Sequence, residues 1–92
     1  MKMYKARFLN IFLKQEKKLD AHIKERIINI VGKLLKDPYS GIRMEGNLRG
    51  YWKERVGKYR ILYKIEESEK IVIFFDVDLR KRVYSRLKKF SL

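Results

Sequence analysis

At 92 residues the chain has room for one hydrophobic core, so we expect a single domain spanning residues 1–92. Its 24 Lys and Arg residues outnumber 11 Asp and Glu residues, and the net charge of +13 favours a polyanionic partner such as nucleic acid. The lack of cysteine excludes disulfides and thiolate chemistry. No apolar run reaches the length of a membrane span, so we expect a cytoplasmic protein with no membrane contact.

The N-terminal residues predict a strand followed by a short helix. Tyr4, Ala6 and Phe8 alternate with other residues in the period-2 pattern of a half-buried strand. Residues from about Ile11 to Leu19 then read as a helix with its apolar side chains near one face.

A second helix is expected to begin at Asp20, whose side chain is suited to an N-cap. Pro38 requires this helix to end at or before Asp37. Its apolar residues form a single stripe: Ile23, Ile27, Ile30, Val31, Leu34 and Leu35. We expect the two helices to pack as a hairpin across one face of a sheet.

The second half of the chain predicts the rest of that sheet. A short strand is expected at Met44–Leu48, and a β-hairpin from Gly50 has its turn at Val56–Lys58. The apolar segment from Ile71 to Leu79 lacks alternation, which is typical of a strand covered on both faces.

The tail from Arg80 to Leu92 carries apolar residues at i, i+4 and i+7 (Val83, Leu87 and Phe90), which predicts a short helix docked by one edge. The expected fold class is therefore α+β. It combines a small antiparallel-dominated sheet of about four strands with an N-terminal helical hairpin packed on it and a short C-terminal helix.

Several kinds of site are absent from the sequence. His22 is the only histidine, which excludes a histidine metal site and a two-histidine ribonuclease. Asp76 and Asp78 share one strand face and could hold Mg²⁺, but no third acidic ligand is in sequence reach. Pairing of these carboxylates with nearby arginines is the favoured interpretation. We expect neither a metal nor a cofactor.

Basic residues on the hairpin suit an RNA phosphate. Lys53 and Arg55 are two residues apart on one strand and point the same way, and Arg60 follows on the next strand. Metal-free RNA cleavage needs such cations, a base for the 2′-hydroxyl and a proton for the leaving oxygen. Tyr84 is the candidate base, or else a stacking group, and Arg80 is better suited to neutralising phosphate than to donating a proton.

Two stretches of the sequence resemble the RelE/ParE superfamily of toxin–antitoxin toxins. The first is Gly50–Ile65, with its basic strand and Gly-x-Tyr-Arg motif, and the second is Val77–Tyr84, with its closing Arg and Tyr. The RelE branch consists of ribosome-dependent endoribonucleases that cut mRNA in the decoding site and are silenced by a RelB-type antitoxin. Leu79 departs from the pattern, because many relatives have His before the Arg.

The resemblance implies roles for residues at matching positions. Arg60, Arg80 and Tyr84 are the expected catalytic residues, with Arg80 as general acid or phosphate ligand and Tyr84 as base or stacking group. The expected RNA- or phosphate-binding residues are Lys53, Arg55, Lys58 and Arg82. No cofactor is implied.

The leading hypothesis is thus a type II toxin that cleaves mRNA by metal-free 2′-hydroxyl attack on the ribosome, with rRNA contacts and an acidic RelB-like antitoxin as partner. A ParE-like toxin that binds DNA gyrase would share the fold without needing the RNA-cleaving residues. A basic RNA-binding domain with no chemistry is the third alternative.

Overall fold

The computed structural model describes residues 3–90, apart from the side chain of Phe90. The elements in chain order are β1 (Lys5–Phe8), α1 (Asn10–Lys17), α2 (Ala21–Lys36), β2 (Ile42–Arg43), β3 (Trp52–Val56), β4 (Tyr59–Glu66), β5 (Ile71–Leu79) and α3 (Arg80–Phe90). Short 3₁₀ helices at Pro38–Ser40 and Gly46–Leu48 flank β2. None of the helices between residues 3 and 90 combines the length and hydropathy needed to cross a bilayer.

The strands form one mixed sheet in the order β1-β5-β4-β3-β2. β1 runs parallel to β5, and the other three pairings are antiparallel. The α+β class with two N-terminal helices and a C-terminal helix is confirmed. The expected number of strands was wrong, because the sheet has five strands rather than about four.

The missing strand is β2, which has only two residues, Ile42 and Arg43. A strand this short shows no alternation, so its sequence gives no periodic signal. The strand expected at Met44–Leu48 is instead a buried Met44 followed by a 3₁₀ turn. Gly46 has φ +66°, a conformation that glycine adopts readily and that ends the extended chain there.

Helix α2 begins and ends where its capping residues predict. The Asp20 carboxylate accepts a hydrogen bond from the Ile23 backbone N–H at 3.0 Å, which confirms the N-cap. The helix stops at Lys36, two residues before Pro38. The Asp37 side chain then accepts from the Tyr39 N–H at 3.2 Å and starts the following turn.

Two hydrophobic cores lie on opposite faces of the sheet. Helices α1 and α2 cover one face, with this buried core: Phe12, Ile27, Leu34, Val56, Ile61, Tyr63, Val72, Phe74 and Val77. Helix α3 covers the other face, where Met44, Leu62, Val83 and Leu87 are buried. β5 supplies Phe74 to the first core and Phe75 to the second, so the prediction of a strand covered on both faces is confirmed.

A β-bulge in β5 allows the neighbouring residues Phe74 and Phe75 to pack in different cores. Leu62 of β4 faces Asp76, whereas the next residue, Tyr63, faces Phe74. Phe75 is therefore the extra residue on β5. As a result Asp76 and Asp78 lie with Leu62 on the face covered by α3, and Val77 returns to the face covered by α1 and α2.

The expected burial of β1 was wrong. All four of its residues are exposed. The reason is that β1 is an edge strand, with a neighbouring strand on one side only. Phe8 nevertheless stacks on Phe74, with ring centroids 5.1 Å apart, so the strand does turn its aromatic residue towards the first core.

Glu67, in the turn between β4 and β5, joins three separate segments of the chain. Its carboxylate accepts hydrogen bonds from the hydroxyls of Tyr4 at 2.6 Å and Tyr39 at 2.5 Å, and it pairs with Lys70. The hydrogen bonds from Lys70, Tyr39 and Tyr4 lower the pKa of Glu67 to about 2. Because this pKa lies below the ordinary value of 4.5, the carboxylate stabilises the fold fully above pH 4.5 and progressively less towards pH 2.

We predict that Glu67→Gln lowers the free energy of unfolding at pH 7, and that the difference from the parent shrinks as the pH falls from about 4.5 to about 2. The reason is that the Glu67 side chain of the parent becomes a neutral carboxylic acid at low pH, and the neutral Gln amide of the variant then differs little from it. Urea unfolding at a series of pH values measures this, with Glu69→Gln as the control in the same turn. A difference that stays constant over this pH range would contradict the assignment.

Candidate active site

The register of the β3–β4 hairpin places the predicted cations on one face of the sheet. Lys53 pairs with Leu62, and Arg55 pairs with Arg60 across the two strands. Leu62 is only 2% exposed and packs in the core beneath α3. Because side chains alternate between faces along each strand, Lys53, Arg55 and Arg60 all lie on the face that α3 covers.

Lys53, Tyr84 and Arg80 come together at the start of α3. The Lys53 ammonium donates a hydrogen bond to the Tyr84 hydroxyl at 3.0 Å, and its nitrogen lies 5.5 Å from the centre of the Tyr84 ring. The Arg80 guanidinium carbon lies 5.7 Å from the same centre. The phenol is thus held between two cations that come from different elements of the fold.

Arg80 and Tyr84 lie on α3, the helix that the sequence predicts to start at Arg80. β5 ends at Leu79 and α3 begins at the next residue, so the two side chains stand at i and i+4 on one helical face. Val83, which is fully buried, and Leu87 lie on the adjoining side of α3 and anchor the helix on the sheet, and Tyr84 packs against the same core. The predicted docking of this helix is confirmed at Val83 and Leu87, whereas the side chain of Phe90 and residues 91–92 lie outside the described part of the chain.

The β3–β4 turn holds Arg60. Gly57 has φ +61° and forms the predicted turn with Lys58. One guanidinium nitrogen of Arg60 donates to the carbonyl oxygens of Gly57 at 3.1 Å and of Tyr59 at 2.8 Å. In this state Arg60 shares the face of Tyr84 but is bound to the turn, and Lys58 is exposed beside it.

The remaining predicted phosphate ligand, Arg82, lies at the rim of the site. Its side chain is 68% exposed, and one guanidinium nitrogen is 4.0 Å from a carboxylate oxygen of Asp78. Beside it, an open concave surface of about 780 Å³ is lined by Arg80, Lys81, Tyr84, Ser85 and Lys88. No acidic side chain lines this surface, which suits it to a chain of phosphates.

A buried ion pair fixes α3 to the sheet. Arg86 donates to both oxygens of Asp76, at 2.8 and 2.9 Å, and to Asp78 at 2.9 Å. The two aspartates are 4% and 6% exposed. Hydrogen bonding to Asp76, and then to Asp78, raises the pKa of Arg86 against the opposing effect of burial. The expected pairing of these aspartates with arginine is confirmed.

Arg86 was not singled out from the sequence, where it is one of six basic residues in the tail. Its position between Val83 and Leu87 on the apolar side of α3 is the signal that could have revealed it. Elsewhere in residues 3–90, no group of three His, Cys, Asp or Glu side chains is arranged to hold a metal ion. The two aspartates are thus occupied by Arg86 in a structural role.

Solved structures of RelE toxins share this fold. The structure superposes on the toxin–antitoxin complex RelBE2 of Mycobacterium tuberculosis with a TM-score of 0.79 and 29% identity, covering 87% of this chain and 94% of that chain. A mutant of the Escherichia coli toxin RelE in the free state gives a TM-score of 0.80 at 22% identity, covering 99% of this chain and 100% of that chain. The second match shows the fold alone.

Sequence comparison extends the same likeness. Toxin RelK of Mycobacterium tuberculosis and Toxin YoeB of Mycobacterium bovis are each 33% identical over 55 residues, which span 54% of this chain and 65% of the relative. The family model described as ParE toxin of type II toxin-antitoxin system, parDE, matches residues 6–84. The chain therefore belongs to the ParE toxin family of type II toxin–antitoxin systems, within the RelE/ParE superfamily that the hairpin motif had indicated.

We predict that Arg86→Met destabilises the protein by about 3 kcal/mol, because it leaves the buried Asp76 without a cation and leaves Asp78 with only the exposed Arg82 at 4.0 Å. Urea unfolding gives the free energy, and hydrogen exchange of the α3 amides should become faster. Arg82→Met, which changes an exposed arginine on the same helix, is the matched control and should cost less than about 0.5 kcal/mol. Equal effects of the two substitutions would show that the buried pair does not hold α3.

Proposed function

We propose that this toxin is a ribosome-dependent mRNA endoribonuclease that cleaves by metal-free attack of a 2′-hydroxyl on the neighbouring phosphorus. The supporting observation is the contact of Lys53 with Tyr84, whose ring also lies 5.7 Å from Arg80, next to a concave surface without acidic residues. A phosphate placed there would meet a phenol and two cations at once. The toxins RelK and YoeB, each 33% identical to this chain over 55 residues, support a toxin of this class.

The reaction would use the three side chains as follows. Tyr84, reacting as the phenolate, would take the proton of the 2′-hydroxyl as the 2′-oxygen bonds to phosphorus. The bond from phosphorus to the 5′-oxygen breaks at the same time, and the 5′-oxygen takes a proton from Lys53. Lys53, hydrogen-bonded to Tyr84, stabilises the negative charge as it develops. The planar fork of Arg80 neutralises two non-bridging phosphate oxygens. An ammonium releases a proton far more readily than a guanidinium, so Lys53 is the better donor to the 5′-oxygen.

The other predicted cations would bind the RNA chain on either side of the scissile phosphate. Arg55 and Arg60 lie on the same sheet face, Lys58 is at the turn, and Arg82 is at the rim. In the free protein the turn carbonyls occupy Arg60. A phosphate would compete for this guanidinium with a full negative charge, and Arg60 would then join the catalytic set.

The proposal includes two partners. Mutual orientation of RNA and catalytic groups supplies much of the rate in such reactions, so a ribosome that presents the mRNA would compensate for the absence of a strong base. Relatives of known structure are seen in complexes of RelB with RelE. A small acidic RelB-like antitoxin would cover the basic face of α3 and inactivate the protein.

A second candidate function is a ParE-like toxin that inhibits DNA gyrase by binding it. The observation in its favour is that the matching family model is that of ParE toxins. Primer extension on a translated mRNA and plasmid supercoiling, measured in the same cells, separate the two functions. A gyrase inhibitor leaves the transcript whole and changes supercoiling, whereas the proposed nuclease cuts the transcript and leaves supercoiling unchanged.

For the proposed nuclease, Tyr84→Phe should lower the single-turnover rate of mRNA cleavage on programmed ribosomes by about 10²-fold or more, because it removes the proton acceptor while keeping the ring. Tyr51→Phe, on the same sheet face and also next to a lysine, is the matched control and should stay within about twofold of the parent. A Tyr84→Phe protein that is folded and as fast as the parent would exclude the phenol from the chemistry.

Arg60→Ala should reduce the same rate by about 10²-fold, because a phosphate-neutralising charge is lost from the transition state. Arg43→Ala is the control, since Arg43 stacks on Trp52 on the other face of the sheet. The measurement is the single-turnover rate at saturating ribosome concentration, alongside thermal unfolding of each variant. If Arg60→Ala lowers the midpoint of thermal unfolding but leaves the cleavage rate unchanged, Arg60 stabilises the turn and takes no part in the reaction.

A further inference from the structure

An exposed isoleucine lies beside Lys53 on the face of the candidate active site. Ile42 of β2 pairs directly with Lys53 of β3, and residues opposite each other in an antiparallel pair carry their side chains on the same face. The backbone N–H of Met44 donates to the Tyr51 carbonyl at 3.0 Å, so the pairing continues two residues further, and Met44 is buried beneath α3. Ile42 itself is 50% exposed and lies outside that core. Its apolar side chain is therefore available to a ligand.

The side chains around Ile42 on this face favour a ligand that combines negative charge with an apolar surface. Lys53 is next to it, and Arg55 and Arg60 form a cross-strand pair on the same face. A second copy of this chain would bring like charges together here, in a protein of net charge +13. A nucleotide of single-stranded RNA instead presents a phosphate to the cations and the flat face of its base to the apolar side chain.

Across the sheet, Ile42 lies on the far side of Lys53 from Tyr84. Tyr84 belongs to α3, which packs on β4 and β5, whereas Lys53 lies on the next strand, β3, and Ile42 on the edge strand β2. In the proposed reaction Tyr84 takes a proton from the nucleotide on the 5′ side of the cut, and Lys53 gives one to the 5′-oxygen of the nucleotide on the 3′ side. That second nucleotide would therefore lie towards β2, where Ile42 is about 5 Å beyond Lys53.

We propose that Ile42 is a specificity-determining residue that packs against the base of the nucleotide on the 3′ side of the cut and favours a purine there. This inference rests on the proposed nuclease function. An aliphatic side chain has no hydrogen-bond donor or acceptor, so it discriminates by contact area rather than by the edge of the base, and a purine has the larger face. We expect the parent to cut before a purine about fivefold faster than before a pyrimidine.

The test measures single-turnover cleavage of three mRNAs on programmed ribosomes. The mRNAs are identical except that the position after the cut, located by primer extension, carries adenine, uracil or no base. Ile42→Ala should cut the adenine mRNA about fivefold more slowly than the parent does, and the ratio of its adenine rate to its uracil rate should fall below about twofold. On the mRNA with no base, the parent and Ile42→Ala should agree within about twofold, because the side chain then has no base to contact.

Two further variants serve as controls. Ile28→Ala changes an isoleucine that is 67% exposed on α2, on the other side of the sheet, and should leave all three rates within about twofold of the parent. Ile42→Phe enlarges the apolar surface and should keep or raise the preference for adenine. Thermal unfolding shows whether each variant is folded. A purely structural role of Ile42 would slow all three mRNAs equally, so the ratio of rates separates contact with the base from stabilisation of the fold.

The outcomes distinguish this inference from the proposed function. If the parent cuts the mRNAs and Ile42→Ala keeps its preference for adenine, the inference is wrong and the nuclease proposal stands. The same holds if the parent cuts the adenine and uracil mRNAs equally fast, or if Ile42→Ala is slowed equally on all three mRNAs. If the parent cuts none of them, both proposals are overturned together.

Discussion

The buried contact of Arg86 with Asp76 and Asp78 is the interaction on which the arrangement of the candidate site depends. α3 packs on the sheet with few apolar residues, mainly Val83 and Leu87 with Tyr84 partly buried beside them, and most of its exposed side chains are basic. A helix with so much positive charge needs a specific anchor, and two carboxylates that are almost excluded from water provide it. The β-bulge in β5 contributes to this anchor, because it turns Asp76 towards α3 beside Leu62.

The position of the anchor explains how distant parts of the sequence meet. Once Arg86 is fixed, α3 lies over β4 and β5, and Tyr84 contacts Lys53 of β3 across 31 positions of sequence. Arg80 stands one turn earlier on the same helical face. The two aspartates are thus neutralised by Arg86 in a structural role, whereas Lys53 and Arg80 have no carboxylate partner among the described contacts and are available to a phosphate.

Most of the fold follows from local patterns. The Asp20 cap, the stop before Pro38, the turn at Gly57 and the apolar β5 each rest on a strong short-range preference, and the structure agrees with each of them. What could not be predicted depends on the tertiary arrangement: the two-residue β2, the parallel pairing of β1 and its exposure at the edge. No periodicity in a single chain specifies which strand becomes the edge of a sheet.

The candidate site divides in the same way. The residue types and the two family-like stretches made Lys53, Arg60, Arg80 and Tyr84 candidates, and the helix predicted from Arg80 already places the last two one turn apart. The turn carbonyls that hold Arg60, and the role of Arg86, involve contacts made only in the folded chain. The charge composition can indicate that the protein binds a polyanion. Only the folded structure shows which arginines pair with buried carboxylates and which are exposed to a ligand.

The account rests most directly on the coupling of Lys53 to Tyr84, and a double-mutant cycle measures it. Single-turnover cleavage rates on programmed ribosomes would be compared for the parent, Lys53→Met, Tyr84→Phe and the double variant. If the two side chains act as one unit across their 3.0 Å hydrogen bond, the double variant should be about as slow as the slower single variant. Fully additive losses would contradict the account, because the two side chains would then act independently of each other.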